Sequence, residues 1–360
     1  MCARSASPTT TPPPLAERLD ALTAEGALWA AAEEGRLRCV ACGHRCLLGE
    51  GRRGICKVRF VRNGRLRVPW GYVAALQVDP TEKKPFFHVR PGSLTLTFGM
   101  LGCDFHCGYC QNWLTSQALR DAAAGVAPRE VTPRQLVDLA RRHGAELVGS
   151  SYNEPLITAE WAVAVFRQAK AAGLRTAFVS NGNATPEVLD YLRPWTDCYK
   201  VDLKAFDDRS YRRLGGVLAN VLRAIEMLVA RSFWVEVVTL VVPGFNDTDE
   251  ELGRAAEFLA GVSPDIPWHV TAFHPDYKMA DRGGTSVETL LRAMRIGQQA
   301  GLRYVYAGNR PGEVGGYEDT RCPHCRATLV RRVGFHVLEN RLAGAGRCSA
   351  CGTAIPGLWG

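Results

Sequence analysis

A chain of 360 residues with 46% apolar and 22% charged residues has a globular composition, with room for two or three domains at roughly 150 residues each. Its longest strongly apolar run, Val237 to Val242, falls far short of the ~20 residues that cross a bilayer, and Met1 to Pro14 lacks the apolar stretch of a secretory signal. These features exclude membrane, secreted and coiled-coil classes and predict a cytoplasmic protein. The net charge of +8 is uneven, with 12 Lys and Arg against 6 Asp and Glu in residues 1–70, 6 against 1 in 321–360, and 26 against 29 between them. A basic excess on both flanks fits solvated arginines first, with an acidic partner or a nucleic acid as the alternative.

Residues 1–14, rich in Ser, Thr and Pro, read as a disordered tail. Leu15 to Glu34 carries Leu15, Leu19, Leu22 and Leu28 near helical spacing, with Gly26 as a break. The thirteen cysteines are not expected to form disulfides without an export signal, and eleven of them fall into three groups. The first, Cys39, Cys42, Cys46 and Cys56, sits among Gly and Arg in a loop-rich metal-binding module spanning 15–70. Four thiols there suit either zinc or an auxiliary iron–sulfur cluster, with His44 able to replace one ligand.

From Leu94 onward short β-rich runs alternate with helical stretches, which predicts an α/β fold with a parallel sheet over 71–312. The predicted strands are Leu94–Phe98, Leu147–Ser151, Thr176–Ser180, Tyr199–Leu203, Val235–Val242, His269–Phe273 and Tyr304–Tyr306. Helix signals stand between them: Thr132-Pro133 to Gly144, Thr158 to Gly173, Thr185-Pro186-Glu187 onward, and Ser286 to Gly301. Polar or metal-binding residues follow strand after strand, as in a barrel whose active site lies at the C-terminal strand ends. A doubly wound sheet is the competing fold.

The second cysteine group, Cys103, Cys107 and Cys110, follows the first of these strands. Three thiolates can hold three irons of a [4Fe-4S] cubane and leave the fourth iron open. A zinc site would need a fourth ligand, for which His106 is adjacent. The third group, Cys322-Pro-His-Cys325 and Cys348-Ser-Ala-Cys351, forms two knuckles separated by 22 residues, the pattern of a zinc ribbon over 313–360.

The Cys103–Cys110 motif, with aromatic Tyr109 before the third cysteine, resembles the radical S-adenosylmethionine (SAM) superfamily over about residues 94–310. The resemblance implies a partial (β/α)6-type TIM barrel, with the N-terminal Cys-rich module and the C-terminal zinc ribbon as additions. It also implies a [4Fe-4S] cluster at Cys103, Cys107 and Cys110, and SAM cleavage to a 5′-deoxyadenosyl radical that abstracts hydrogen. Glu154-Pro155, Asp202-Leu203-Lys204, Val242-Pro243-Gly244 and His274 are similar to the glycyl-radical-enzyme (pyruvate formate-lyase) activating group. Ser151-Tyr152-Asn153 departs from it, standing where that group has small glycines. On this basis Tyr109, Glu154, Asn181, Asn183, Asp202, Lys204 and His274 are the candidate SAM contacts.

Cys39–Cys56 followed by Val58-Arg59, Asp79 to Pro85 with His88, Cys110-Gln111-Asn112-Trp113 and Tyr306 to Gly312 together resemble the radical SAM component of the AmmeMemoRadiSam system. That implies Memo-like and AMMECR-type partner proteins, beside an electron donor of the flavodoxin or ferredoxin class. The expected substrate is a protein or peptide. A nucleic acid or small molecule is the alternative, and a non-catalytic metal-bearing scaffold is a third class. Lys83 and Lys84 either cover the barrel mouth or form an ordinary basic connection.

Overall fold

The seven β-rich runs become seven parallel strands in a computed structural model that describes residues 14–344 and 346–360. The tail read at 1–14 lies, apart from Pro14, outside the described residues. Strand β1 (Ala75–Pro80) runs antiparallel to β2 (Leu94–Gly99) at one edge. The sheet continues in parallel through β3 (Leu147–Ser150), β4 (Arg175–Ser180), β5 (Cys198–Asp202), β6 (Trp234–Val241), β7 (Trp268–Ala272) and β8 (Val305–Gly308). Neighbours in the sheet follow chain order without reversal, and β1 and β8 remain separate edges. A doubly wound sheet would reverse its order partway. The fold is therefore a partial barrel, wound in one direction.

Helix ends follow the sequence signals. Thr132 caps α1 (Pro133–Arg142) with a reciprocal pair: its hydroxyl accepts from Gln135 N (3.3 Å) and Gln135 Oε1 accepts from Thr132 N (2.8 Å). Next come α2 (Ala159–Ala171), α3 (Pro186–Leu192, capped by Thr185), α4 (Asp208–Leu214), α5 (Leu218–Ala230), α6 (Asp249–Val262) and α7 (Val287–Gln299, capped by Ser286). No helix among the described residues is long and apolar enough to cross a membrane.

The helical spacing read over Leu15–Glu34, with its break at Gly26, is corrected. Only Leu15–Ala21 is α-helical there, because Thr23–Glu25 pairs with Arg65–Pro69 and Trp29–Ala31 pairs with Leu37–Cys39. Strand pairing overrides the apolar spacing there. Leu19, Leu66 and Val68 then enter the same buried core as the barrel residues Leu156 and Trp161. Arg59, 1% exposed, fastens this module to the barrel through both oxygens of Glu160 on α2.

Residues 84–89 occupy the barrel interior. Phe86 packs on Leu147, Ala177 and Cys198 at the strand starts, and Phe87 packs on Tyr304 and Tyr306. Glu236 on β6 accepts from Phe87 N (3.0 Å) and His88 N (2.9 Å), and so fixes the height at which the segment crosses the lumen. The C-terminal hairpin, β9 (Thr328–Val333) and β10 (His336–Asn340), covers the segment from outside, with buried Arg332 donating to the Phe87 carbonyl at 2.8 Å.

Candidate functional site

The loop after β2 is where the three central cysteines turn inward. Gly102 adopts φ +94°, a left-handed conformation that a side chain resists, and a Cβ there would lie 2.9 Å from Val58 Cγ1. The loop is then tied from several sides. His106 N donates to Leu214 O (2.9 Å), while Gln117 Nε2 and Arg120 Nη1 donate to Phe105 O at 3.2 and 3.0 Å. The buried Phe105 ring meets Tyr211 edge-on at 6.3 Å.

Cys103, Cys107 and Cys110 line a cavity of about 330 Å³ at the C-terminal ends of the strands. His106, the available fourth ligand for zinc, is exposed and turned toward Gly215, outside that cavity. The donor set facing the cavity is thus three thiols, which fits a cubane with one open iron better than a tetrahedral ion. Burial, with Asp104 adding to it, pushes the Cys103 thiol well up, and burial pushes Cys107 up to about 12. Thiols in this setting become ligands only when a metal's positive charge draws off their protons.

Glu154, Asn181, Asp202, Lys204 and Tyr109 line the same cavity. Burial opposes ionisation of Asp202, but the Lys200 and Lys204 cations outweigh it and hold the carboxyl at about 2. Lys204 Nζ donates to Asp202 Oδ2 at 3.2 Å, and Lys200 Nζ donates to Oδ1. The Tyr109 hydroxyl is buried with no hydrogen-bond partner among the described residues, and its ring meets Phe245 at 5.6 Å. An orphaned hydroxyl beside a charged cavity is what a polar cofactor would satisfy.

Two candidates are placed elsewhere. Asn183 lies outside the cavity lining; its amide donates to Asp104 Oδ2 at 2.9 Å, as Asn181 Nδ2 donates to Oδ1 at 2.7 Å. The asparagine pair therefore clamps the buried Asp104 carboxylate inside the cysteine loop. His274 is exposed and also outside the lining. The chain turns away after β7, where Phe273 N donates to Thr285 Oγ1 (2.8 Å) and Thr285 N returns to Phe273 O (3.1 Å). Thr271, three residues earlier, faces the cavity in its place.

Residues not assigned from the sequence complete the wall. Lys84 Nζ donates to Asp79 Oδ2 and meets the Tyr152 hydroxyl, both at 2.9 Å, on the wall that also holds Asn309 and Phe335. The Lys83-Lys84 pair was a visible signal, but its position depends on the lumen segment.

Glu154 is the most strongly perturbed acid at the site. Burial, then the Asp104 charge, push it up to about 8, against hydrogen bonds from Leu156 N, Ser180 Oγ and Asn181 N at 3.0, 2.7 and 2.7 Å. A raised folded-state value means that its contribution to stability is complete below the ordinary glutamate range and is lost as pH rises through the folded value. Metal-free protein is expected to lose a few kcal/mol between about pH 5 and about pH 8, measured by urea unfolding. Glu154→Gln should remove most of that slope; equal slopes in the two proteins would refute the assignment.

A family model of the Radical SAM superfamily matches residues 98–259. An uncharacterized protein of Methanocaldococcus jannaschii is 34% identical over 326 residues, covering 90% of this chain and 96% of that one. The pyruvate formate-lyase 1-activating enzyme of Escherichia coli strain K12 is 28% identical over 236 residues, covering 60% of this chain and 93% of its own. A solved domain of a pyruvate-formate lyase-activating enzyme from Bacteroides vulgatus covers 45% of this chain and 98% of itself, at 21% identity and TM-score 0.41. A Radical SAM domain implies a [4Fe-4S] cluster and SAM, and the inward-facing cysteines provide three thiols for that cluster. The chain shares a family with the Methanocaldococcus protein and carries a Radical SAM domain over residues 98–259, with similarity to pyruvate formate-lyase-activating enzymes.

Proposed function

We propose that this protein generates a 5′-deoxyadenosyl radical to abstract hydrogen from a protein or peptide. The observation that carries the reading is the single cavity lined by three thiols, Lys204, Asp202, Glu154 and Tyr109, whose buried hydroxyl has no partner among the described residues. When bound, the cluster supplies one electron to SAM and opens its sulfonium C–S bond. The chain's own residues bind and orient. Glu154 accepts from the SAM ammonium, Lys204 meets its carboxylate, and Asp202 accepts from the ribose diol. Asn181 and Asn183 act one step removed, by fixing Asp104 and with it the loop.

Similarity to activating enzymes supports a macromolecular substrate and an electron donor. The motifs shared with the AmmeMemoRadiSam component support Memo-like and AMMECR-type proteins as partners. The C-terminal four-thiol group fits zinc: its sulfur atoms all lie within 4.8 Å of one another, with Cys322–Cys351 and Cys325–Cys348 each at 3.6 Å. Tetrahedral Zn–S bonds of about 2.3 Å place sulfurs about 3.8 Å apart.

Incubating the reconstituted protein with SAM, reductant and a deuterated proteome should carry deuterium into 5′-deoxyadenosine. Transfer from a deuterated nucleotide or small-molecule pool, with none from protein, would overturn the substrate class.

A further inference from the structure

The proposed reaction leaves unused the four thiols of the N-terminal module. Cys39, Cys42 and Cys56 are buried and Cys46 is half-buried. Cys46 and Cys56 face one place, since a Cβ added to Gly54 would stand 3.6 Å from the Sγ of both; Ile55 N donates to Cys46 Sγ at 3.5 Å and Cys39 N donates to Cys46 O at 2.9 Å. Their spacing differs from the C-terminal group. Among the described residues, Cys322, Cys325, Cys348 and Cys351 form the one set of three or more ligand atoms that all close to within 4.8 Å. No three of the N-terminal thiols, and not the three of the central loop, close to that separation. A width beyond a single tetrahedral ion is what an iron–sulfur cluster occupies.

This module has less need of a structural ion than the C-terminal one. Its apolar residues belong to the barrel core, and the buried Arg59–Glu160 pair already fastens it. Its position is also specific. Gly43 N donates to Asn183 O at 2.7 Å, the His44 ring meets Phe105 edge-on at 6.3 Å, and His44 Nε2 lies 3.9 Å from Asp104 Oδ2. On the other side of the loop, the Cys56 carbonyl lies 3.0 Å from where a Gly102 Cβ would stand. Through the Cys56 carbonyl and His44 the module thus abuts both residues that flank Cys103, Gly102 and Asp104. Outside, Leu47 and Ile55 flank Cys46 at 38% and 41% exposure, among exposed Arg38, Arg52 and Lys57. An apolar spot with a cationic rim suits an acidic partner.

We propose that Cys39, Cys42, Cys46 and Cys56 hold a second iron–sulfur cluster that relays single electrons from an acidic, low-potential carrier protein to the cluster at Cys103, Cys107 and Cys110. In each transfer the carrier loses one electron. The second cluster is reduced by that electron and reoxidised as the first accepts it, with no bond made or broken. The inference rests on the reading of the central loop as a cluster site, and the test separates the two.

Full-length protein, reconstituted anaerobically with iron and sulfide, is compared with Cys103→Ala/Cys107→Ala/Cys110→Ala and with Cys39→Ser/Cys42→Ser by metal analysis and electron paramagnetic resonance after dithionite. The triple variant should keep about two to four irons with a signal that SAM does not alter, and zinc should stay at about one per chain throughout. The double variant should keep the SAM-sensitive signal. A triple variant without iron, or wild type with about two zincs, overturns the second cluster and leaves the first standing. A SAM-insensitive wild type would instead sink the reading of the central loop. Should the double variant not fold, Leu47→Glu/Ile55→Glu keeps both sites. Its central cluster should be reduced at least about tenfold more slowly by photoreduced flavodoxin and at the wild-type rate by dithionite. An unchanged flavodoxin rate overturns the relay.

Discussion

Arg59→Ala is expected to lower the unfolding free energy by about 3–5 kcal/mol, measured by urea denaturation near neutral pH. Arg59 and Glu160 are 1% and 4% exposed and meet through two bonds of 2.7 and 2.8 Å, with a third from Arg59 Nη1 to Ile157 O at 3.1 Å. Removing the guanidinium leaves Glu160 with only Ala27 N and Leu28 N, at 3.2 and 3.3 Å, to offset its buried charge. Burial pushes the Glu160 carboxyl up, and Arg59 outweighs it and holds the group below the ordinary range. A lowered folded value contributes stability above the unfolded value and loses it as pH falls through the folded one. The deficit of the variant should therefore shrink below about pH 4.5, where wild type also loses the pair. Arg59→Met with Glu160→Leu should cost less than Arg59→Ala alone, because no lone charge is left buried. A deficit that does not change with pH, or a double variant worse than the single one, would contradict the account.

The second large effect is expected at the C-terminal module. Cys348→Ala should remove the zinc proposed for its four thiols and unfold this module while the barrel stays folded, seen as lost zinc and lost amide protection confined to that segment. Its own buried apolar cluster is small: Cys322, Leu329, Val330, Cys348 and Ile355, completed by Phe87, Tyr304 and Tyr306 of the barrel. Structural zinc contributes apparent binding energies of about 10–16 kcal/mol in small fingers, more than so small a core supplies. The loss should reach the active cavity. Phe335 leaves its wall, and Arg332 releases the Phe87 carbonyl and the buried Glu82. Turnover should fall with zinc occupancy. A variant that retains wild-type protection over 313–360 would show that the ion does not hold the module.

The parallel strands were legible because their β-rich runs lie between strong helix caps such as Thr132, Thr185 and Ser286. The inward cysteine loop was legible from its spacing alone. Less of the site could be read, because side-chain direction depends on contacts distant in sequence. Thr23–Glu25 was taken for helix since its partner, Arg65–Pro69, lies some forty residues on. His274 follows a correctly read strand, but the Phe273–Thr285 turn carries it to the surface. Asp104 stood inside the motif without an assigned role, since its partners Asn181 and Asn183 come from the end of another strand. Lys84 reaches Tyr152 only because residues 84–89 thread the lumen, a path that no local pattern encodes.

The central claim is that the three inward thiols hold a cluster that opens SAM. It is tested most directly by following SAM under anaerobic reduction in reconstituted wild type and Cys107→Ala. Wild type should release 5′-deoxyadenosine and methionine in equal amounts, and the variant none above background. Equal release from both proteins, or none from wild type with its iron in place, would contradict that claim.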